Sequence, residues 1–286
     1  MAAVSVVVPT HARTGSLACC LGALARQSLS EPYEIVVVDD ASPDEAAVAA
    51  VVASHERARL VRLPRRAGPG AARNAGARAA VGSFVLFTDD DCEPGPAWAA
   101  ALVERLRGGA RIVAGATEDG AAGNAWTAAS HLITVYFTEH AAGSFAASNN
   151  IACTAGVLAA IPFDESFPDA AGEDRDWCSR VAEAGLEIEP VPAARLEHHH
   201  RLTLRTFCRR QFRYGRGAYR FHRGTPAGRP LERPQFYAGL LRRGFEQGPG
   251  VALLVVGSQA AVALGFLVEA ISARRRVGRV ESAADE

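Results

Sequence analysis

Hydrophobic positions in the first hundred residues fall into two patterns, short apolar runs and helical spacings. Val4 to Val8 is a β-branched run closed by Pro9, and Glu34 to Val38 is a second run that ends on Asp39-Asp40. Arg59 to Leu63 is a third, and Ser83 to Thr88 a fourth that ends on Asp89-Asp90-Asp91. Runs of this kind predict strands buried on both faces, as in a parallel sheet. Between them, Ser16 to Gln27 puts Leu17, Cys20, Leu21 and Leu24 on one helical face. Pro43 to His55 opens with Asp44 and Glu45, where the helix dipole favours acids, and residues 70–80 supply a third helix. The order βαβαβαβ predicts an α/β, Rossmann-like fold with a mostly parallel sheet and its ligand site at the carboxyl ends of the strands.

Beyond a helix over Trp98 to Leu106 the pattern loosens. A short strand is expected at Arg111 to Ala114, a helix over 124–140 and an apolar stretch over 148–158 around Asn149-Asn150. A loop over 168–172 then leads into a helix from Glu173 to Gly185, followed by a strand over Glu187 to Pro190. From His198 to Tyr219 the chain is basic and expected to be helical, and residues 224–234, rich in Gly and Pro, read as a linker. Residues 247–268 carry no charge, a run of 22 that is long enough to cross a bilayer. Gly248, Gly250, Gly257, Ser258, Gln259 and Gly265 dilute it, and arginines flank both ends, so charge gives no orientation. A membrane-embedded or membrane-lying helix is expected there in preference to a buried packing helix. The resulting division is a catalytic domain over 1–222, a basic linker over 223–246, an apolar helix over 247–271 and a charged tail over 272–286.

With 49% hydrophobic and 22% charged residues, and 31 basic against 31 acidic side chains, the composition is that of a folded soluble chain; disorder, collagen and a disulfide mini-protein are excluded. The balance hides a segregation: residues 1–194 hold 14 Arg and 24 acids, residues 195–245 hold 13 Arg and 2 acids, and there is no Lys. Such a basic segment suits phosphate, whether on a membrane surface, a lipid, a nucleotide or a nucleic acid, or is simply a solvated face. The six cysteines show no CxxC spacing, and the N-terminus lacks a signal-peptide pattern. A reducing cytoplasm, at the inner face of the membrane, is the expected compartment.

Three acidic clusters, Asp39-Asp40, Asp89-Asp90-Asp91 and Glu173-Asp174, fall at expected strand ends or loops. Adjacent carboxylates repel, and Mg²⁺ or Mn²⁺ shared with substrate phosphates is a usual remedy. Helix capping is the competing explanation for any single pair. Gly68-Pro69-Gly70-Ala71-Ala72-Arg73 imitates a dinucleotide fingerprint, but Arg73 stands where the third glycine belongs, and three aspartates would repel a pyrophosphate without a metal. A dehydrogenase is therefore disfavoured. Three consecutive histidines, His198 to His200, diverge and cannot all ligate one ion.

The ordered motifs Val4 to Thr10 with Arg13, Glu34 to Ser42, Ala72 to Gly76, Phe84 to Asp91 with Pro94, and Phe163 to Phe167 before Gly172-Glu173-Asp174 together resemble the family 2 glycosyltransferases. These have the nucleotide-diphospho-sugar transferase (GT-A) fold, and the resemblance covers about residues 4–220. It implies that Pro9, Thr10, Arg13, Asp39, Asp40, Arg73, Asp89 and Asp90 bind the nucleotide-sugar. It also implies that Asp91, Asp89 and His198 serve a divalent metal, Mn²⁺ or Mg²⁺. Asp174 would be the catalytic base of an inverting displacement, with Glu173 its neighbouring candidate. Gln211-Phe-Arg-Tyr-Gly-Arg-Gly217 matches the Gln-x-x-Arg-Trp element of processive synthases only partly, being one residue short with Tyr214 in place of Trp, so transfer of a single sugar is expected.

The resemblance thus implies a hexosyltransferase acting from a UDP-sugar on a glycan or lipid-linked acceptor in cell-envelope or exopolysaccharide synthesis, with no nucleic acid involved. Two alternatives stay open. A sugar nucleotidyltransferase would call for a Gly-rich loop after the first strand, which Pro9 to Gly15 does not supply. A non-catalytic, membrane-associated nucleotide-sugar-binding subunit would have no need of a base.

Overall fold

The structure, a computed structural model, describes residues 3–120, 124–141, 145–168, 171–224 and 232–284. They group into two compact units, one of residues 1–122, 137–168 and 173–200, the other of 123–136, 169–172 and 201–286.

The first unit is built on one sheet. Its strands are β1 (Val4–Thr10), β2 (Tyr33–Asp39), β3 (Ala58–Arg62), β4 (Phe84–Phe87), β5 (Cys92–Pro94), β6 (Ile112–Asp119), β7 (Ile151–Thr154) and β8 (Glu189–His198), in the order β3-β2-β1-β4-β7-β6-β8-β5. β1 runs parallel to both β2 and β4, and β2 parallel to β3; β7 runs antiparallel to β4 and β6, and β5 antiparallel to β8, while β6 and β8 are parallel. Its helices are α1 (Thr14–Ala25), α2 (Glu45–Ala53), α3 (Pro69–Ala79), α4 (Trp98–Arg107), α6 (Ala155–Ala160) and α7 (Glu173–Glu183); α5 (Ala125–His140) belongs to the second unit up to Tyr136.

Strand periodicity divides the core in two. Val4, Val6 and Val8 of β1, with Ile35 and Val37 of β2, pack against Leu17, Leu21 and Leu24 of α1 and Trp98 and Leu102 of α4. The alternate residues Val7, Val36 and Val38 pack on the other face with Ala72 and Ala75 of α3 and Trp177 and Val181 of α7. This is why the strand runs read as continuously apolar. α3 lies so close that a Cβ at Gly76 would come within 2.3 Å of Val7 Cγ1, so Gly76 supplies the close helix–sheet contact that the Gly68-to-Arg73 stretch does not.

Several expectations need correction. β6 and β8 are much longer than the short strands read at 111–114 and 187–190, and His198 ends β8 instead of opening a helix. α8 begins only at Leu204, runs to Gly224 and belongs to the second unit. Residues 234–246, expected within a linker, form helix α9 (Pro234–Glu246), and α10 runs from Pro249 to Ala284, past the expected start of a separate tail at 272. Residues 225–231 of the expected linker and 169–170 of the expected loop lie outside the described residues.

The second unit is helical. The early turns of α5 meet α8 and α10 through Ala129, Phe207 and Val251, and meet α9 and α10 through Leu132, Tyr136, Leu240 and Val255.

Candidate active site

Because β2, β1 and β4 are adjacent and parallel, their carboxyl ends bring Pro9-Thr10, Asp39-Asp40 and Asp89-Asp90-Asp91 to one sheet edge. The last of the candidate residues arrives by a different route. β5 pairs antiparallel with β8 in a register that sets Cys92 opposite His198, which places the imidazole beside the residue before Cys92. His198 Nε2 lies 3.2 Å from Asp91 Oδ1, and the His199 amide donates to the Asp91 carbonyl at 2.7 Å. The His198 and His200 rings stand 4.0 Å apart, while His199 faces Glu197 and Glu93.

The three aspartates have three different environments. Asp90 is buried, accepts from the Thr10 hydroxyl at 2.7 Å, and pairs with Arg13 at 3.1 Å. Burial, with Asp91 and Asp89 adding to it, outweighs the pull of Arg13 and Thr10 and pushes its carboxyl up to about 7. Asp91 pairs with Arg13 and His198. Asp89 accepts from Arg73 at 2.8 Å.

Arg73 is buried in the first turns of α3 and reaches Glu173 Oε1 at 3.2 Å with its other nitrogen, so one guanidinium joins the fourth strand's acids to the acids that open α7. Glu173 is closed off from solvent, whereas Asp174 is partly open and accepts from the Arg175 amide at 2.8 Å. Both carboxyls are raised: burial is the main cause for each, each feels the acids around it, and Arg73 opposes the shift. Glu173 is a buried partner of Arg73, and Asp174 beside it is the less enclosed of the two.

Asp39 and Asp40 are engaged by the protein itself. Asp39 accepts from the Ser42 amide at 2.9 Å and pairs with Arg62. Asp40 accepts from the Ala67 and Gly68 amides at 2.6 and 2.9 Å, tying the β3–α3 loop to the sheet edge. The neighbouring loops hold a feature that residue patterns do not show. Ala12 and Ala41 both have positive φ, at 57° and 55°, although neither is glycine. Each costs about 1 kcal/mol, and both sit at the carboxyl edge. They are held by His11 Nδ1 on the Asp40 carbonyl at 2.8 Å and by the Ala12 amide on Ser42 Oγ at 2.8 Å.

Orphaned buried polar atoms mark the same region. Thr88 Oγ1, Asn149 Oδ1, Glu173 Oε2 and Arg73 Nε have no hydrogen-bond partner among the described residues. Such atoms are costly to bury unless a ligand satisfies them. Asn149 was not singled out by the sequence; its amide nitrogen lies 3.6 Å from Cys92 Sγ, next to the Asp91–His198 pair. A carboxylate and an imidazole side by side are a donor set that suits Mn²⁺ better than Mg²⁺, which prefers oxygen ligands alone. Donor atoms of Asp91, Cys92 and His198 all lie within 4.8 Å of one another, and burial with the nearby aspartates pushes the Cys92 thiol well above its ordinary range. Asp89, expected as a further metal residue, is turned to Arg73.

A sheet of this order, with acids clustered where its first strands end and a histidine returned beside them by a late strand, defines the GT-A class of α/β protein. Residues 5–164 match the family model described as glycosyl transferase family 2, and the chain belongs to that family. It is 28% identical over 226 residues to the pre-mycofactocin glycosyltransferase of Mycobacterium tuberculosis, covering 75% of this chain and 46% of that protein. It is 33% identical over 106 residues to the chondroitin synthase of Escherichia coli, covering 36% of this chain and 15% of that one. The chain thus spans less than half the length of these curated relatives. Among solved structures, it is similar in fold to the Pyrobaculum calidifontis mannosyltransferase in complex with GDP-Man and Mn²⁺, with TM-score 0.59, 18% identity, and coverage of 100% of this chain and 81% of that one. It is also similar to residues 1–349 of S. aureus TarS in complex with UDP, with TM-score 0.51, 19% identity, and coverage of 85% and 72%.

Proposed function

We propose that the chain is an inverting, metal-dependent glycosyltransferase that moves a sugar from a nucleotide-diphospho-sugar, a UDP-sugar, to an acceptor hydroxyl. The observation that carries the reading is the convergence at one sheet edge of the Asp91–His198 pair with the Arg73-linked acids Asp89 and Glu173, the latter adjoining Asp174. The fold neighbours solved with GDP-Man and Mn²⁺ and with UDP support a nucleotide donor and a divalent ion.

Asp91 and His198 would hold the ion, which supplies charge neutralisation of the diphosphate leaving group. Thr10 and Arg13 fix the aspartate cluster from the β1 end. Asp39 and Asp40 shape the nucleoside pocket by pinning its loops. Arg73 holds Asp89 and Glu173 in place. Asp174 takes the proton of the acceptor hydroxyl as its oxygen attacks the anomeric carbon from the face opposite the diphosphate, and this single displacement inverts the configuration. The acceptor is a glycan or a lipid-linked glycan of the cell envelope, met at the cytoplasmic face of the membrane.

A thermal-shift panel of UDP-, GDP-, CDP- and dTDP-sugars with and without Mn²⁺, on wild type and Asp91→Ala, tests the donor reading. One nucleotide raising the melting temperature only with metal, and not in the variant, is the expected result. No shift with any donor, with or without metal, would overturn it.

A further inference from the structure

Helix α10 has its polarity reversed relative to a soluble surface helix. The side facing the rest of its unit carries the polar groups. Ser258 and Glu269 are buried, and Glu269 accepts from Arg216 Nε at 2.7 Å and from Arg220 Nη2 at 3.2 Å, both on α8. The side facing away is wholly apolar: Leu253, Val256, Leu264, Leu267 and Ile271 are each more than half exposed. They recur at helical spacing and make one stripe about 27 Å long at about 1.5 Å per residue. A folded chain does not leave such a face to water without a partner.

Pro249–Arg274 is long and apolar enough to cross a bilayer. The partner helix forbids it. A Cβ at Gly215 of α8 would fall 1.9 Å from the Val262 carbonyl oxygen, and a Cβ at Gly265 of α10 would fall 2.0 Å from that of Phe212, so the two backbones are in direct contact. α8 carries seven arginines in 21 residues. An arginine at mid-bilayer is disfavoured by a factor of roughly a hundred or more. If α10 spanned, it would either carry α8 into hydrocarbon or strip Glu269 of both its arginines.

We propose that α10 lies in the plane of an anionic bilayer surface, its Leu253-to-Ile271 stripe sunk into the headgroup boundary and α8 kept on the aqueous side. Exposed arginines bracket the stripe, Arg243 and the Glu246-paired Arg242 on α9 before it and Arg274 after it, with the exposed Phe245 next to the first pair. This is the charge pattern an anionic leaflet attracts. A second copy of the chain would bring like charges together at the ends of the stripe, which argues for lipid over self-association. The inference stands apart from the donor chemistry, because every residue it uses lies in the second unit.

The test uses the full chain with phosphatidylcholine vesicles, with and without phosphatidylglycerol. Wild type is expected to float with the anionic vesicles and much less with the neutral ones. Leu264→Glu with Leu267→Glu, both at exposed positions, is expected to lower the partition coefficient at least about tenfold with an unchanged melting temperature. Position in the bilayer is read from fluorophores on cysteines placed at 253, 264 or 271, with exposed Cys19 and Cys208 changed to Ser and lipid-borne quenchers set at graded depths. Equal, shallow quenching at all three sites is the expected result. A depth gradient from 253 to 271 would mean a spanning helix, and unquenched labels with a dimer mass in light scattering would mean a second copy; either overturns the proposal, as does equal binding to neutral and anionic vesicles.

Discussion

At the residue scale the assignment of roles rests on which carboxylates are open and which are engaged. Asp174→Asn is expected to lower kcat by about 10²- to 10⁴-fold while leaving the donor-induced thermal shift intact, because the proton acceptor is lost and the donor contacts are not. Glu173→Gln should instead weaken donor binding along with rate, since it releases Arg73 from one of its two acids; comparing donor KM with kcat for the two variants separates the cases. The pH profile follows from the same pair. Burial raises both carboxyls, so the protonated, inactive form persists to a higher pH than an ordinary carboxyl near 4 allows. Activity is expected above the raised range and lost as pH falls through it. An acidic limb of kcat/KM at pH 4 would contradict a buried base.

That the acids share an edge is legible in the sequence, because Asp39-Asp40 and Asp89 to Asp91 each close a buried apolar run, and parallel neighbours end on the same side. Which of them a ligand can use is not legible. That depends on Arg73 arriving from α3, on the 67–68 amides covering Asp40, and on two alanines held at positive φ, none of which leaves a pattern in composition or spacing.

At the scale of elements, β1 to β4 with their helices follow from periodicity, while the full lengths of β6 and β8, and α9, do not. β8 runs through Glu189-Pro190-Val191-Pro192-Ala193-Ala194, a stretch of poor strand formers, and is a strand because β6 and β5 pair with it. The contact between α3 and β1 gives a sharper case, in which propensity and packing have opposite signs. Gly76→Ala would gain about 1 kcal/mol of helix propensity. Its Cβ would meet Val7 Cγ1 at 2.3 Å, and Val7 is fully buried between strands with little room to give, so overpacking of about 1–3 kcal/mol should win. A lower melting temperature for Gly76→Ala is expected, along with partial recovery on adding Val7→Ala; additive losses in the double variant would show that the two groups do not touch.

At the scale of the whole molecule the governing fact is a net charge of zero built from segregated parts, with 24 acids against 14 Arg before residue 195 and 13 Arg against 2 acids over the next 51 residues. Near its isoelectric point of about 7.1 the chain has no net repulsion to keep copies apart. Opposite regions of different copies can then attract over a Debye length of about 30 Å at 0.01 M salt, shrinking to about 10 Å at 0.1 M. Two forces thus compete to associate the protein in the absence of lipid, and salt acts on them with opposite sign. Charge-driven association weakens as salt is added, whereas association through the apolar stripe of α10 does not weaken and is strengthened by sulfate. Light scattering at pH 7 is expected to show clusters at low salt that dissolve on adding sodium chloride, leaving a smaller population that Leu264→Glu with Leu267→Glu removes. If salt had no effect on the wild type while the variant abolished all clusters, the stripe alone would drive association and the charge segregation would be without consequence in solution.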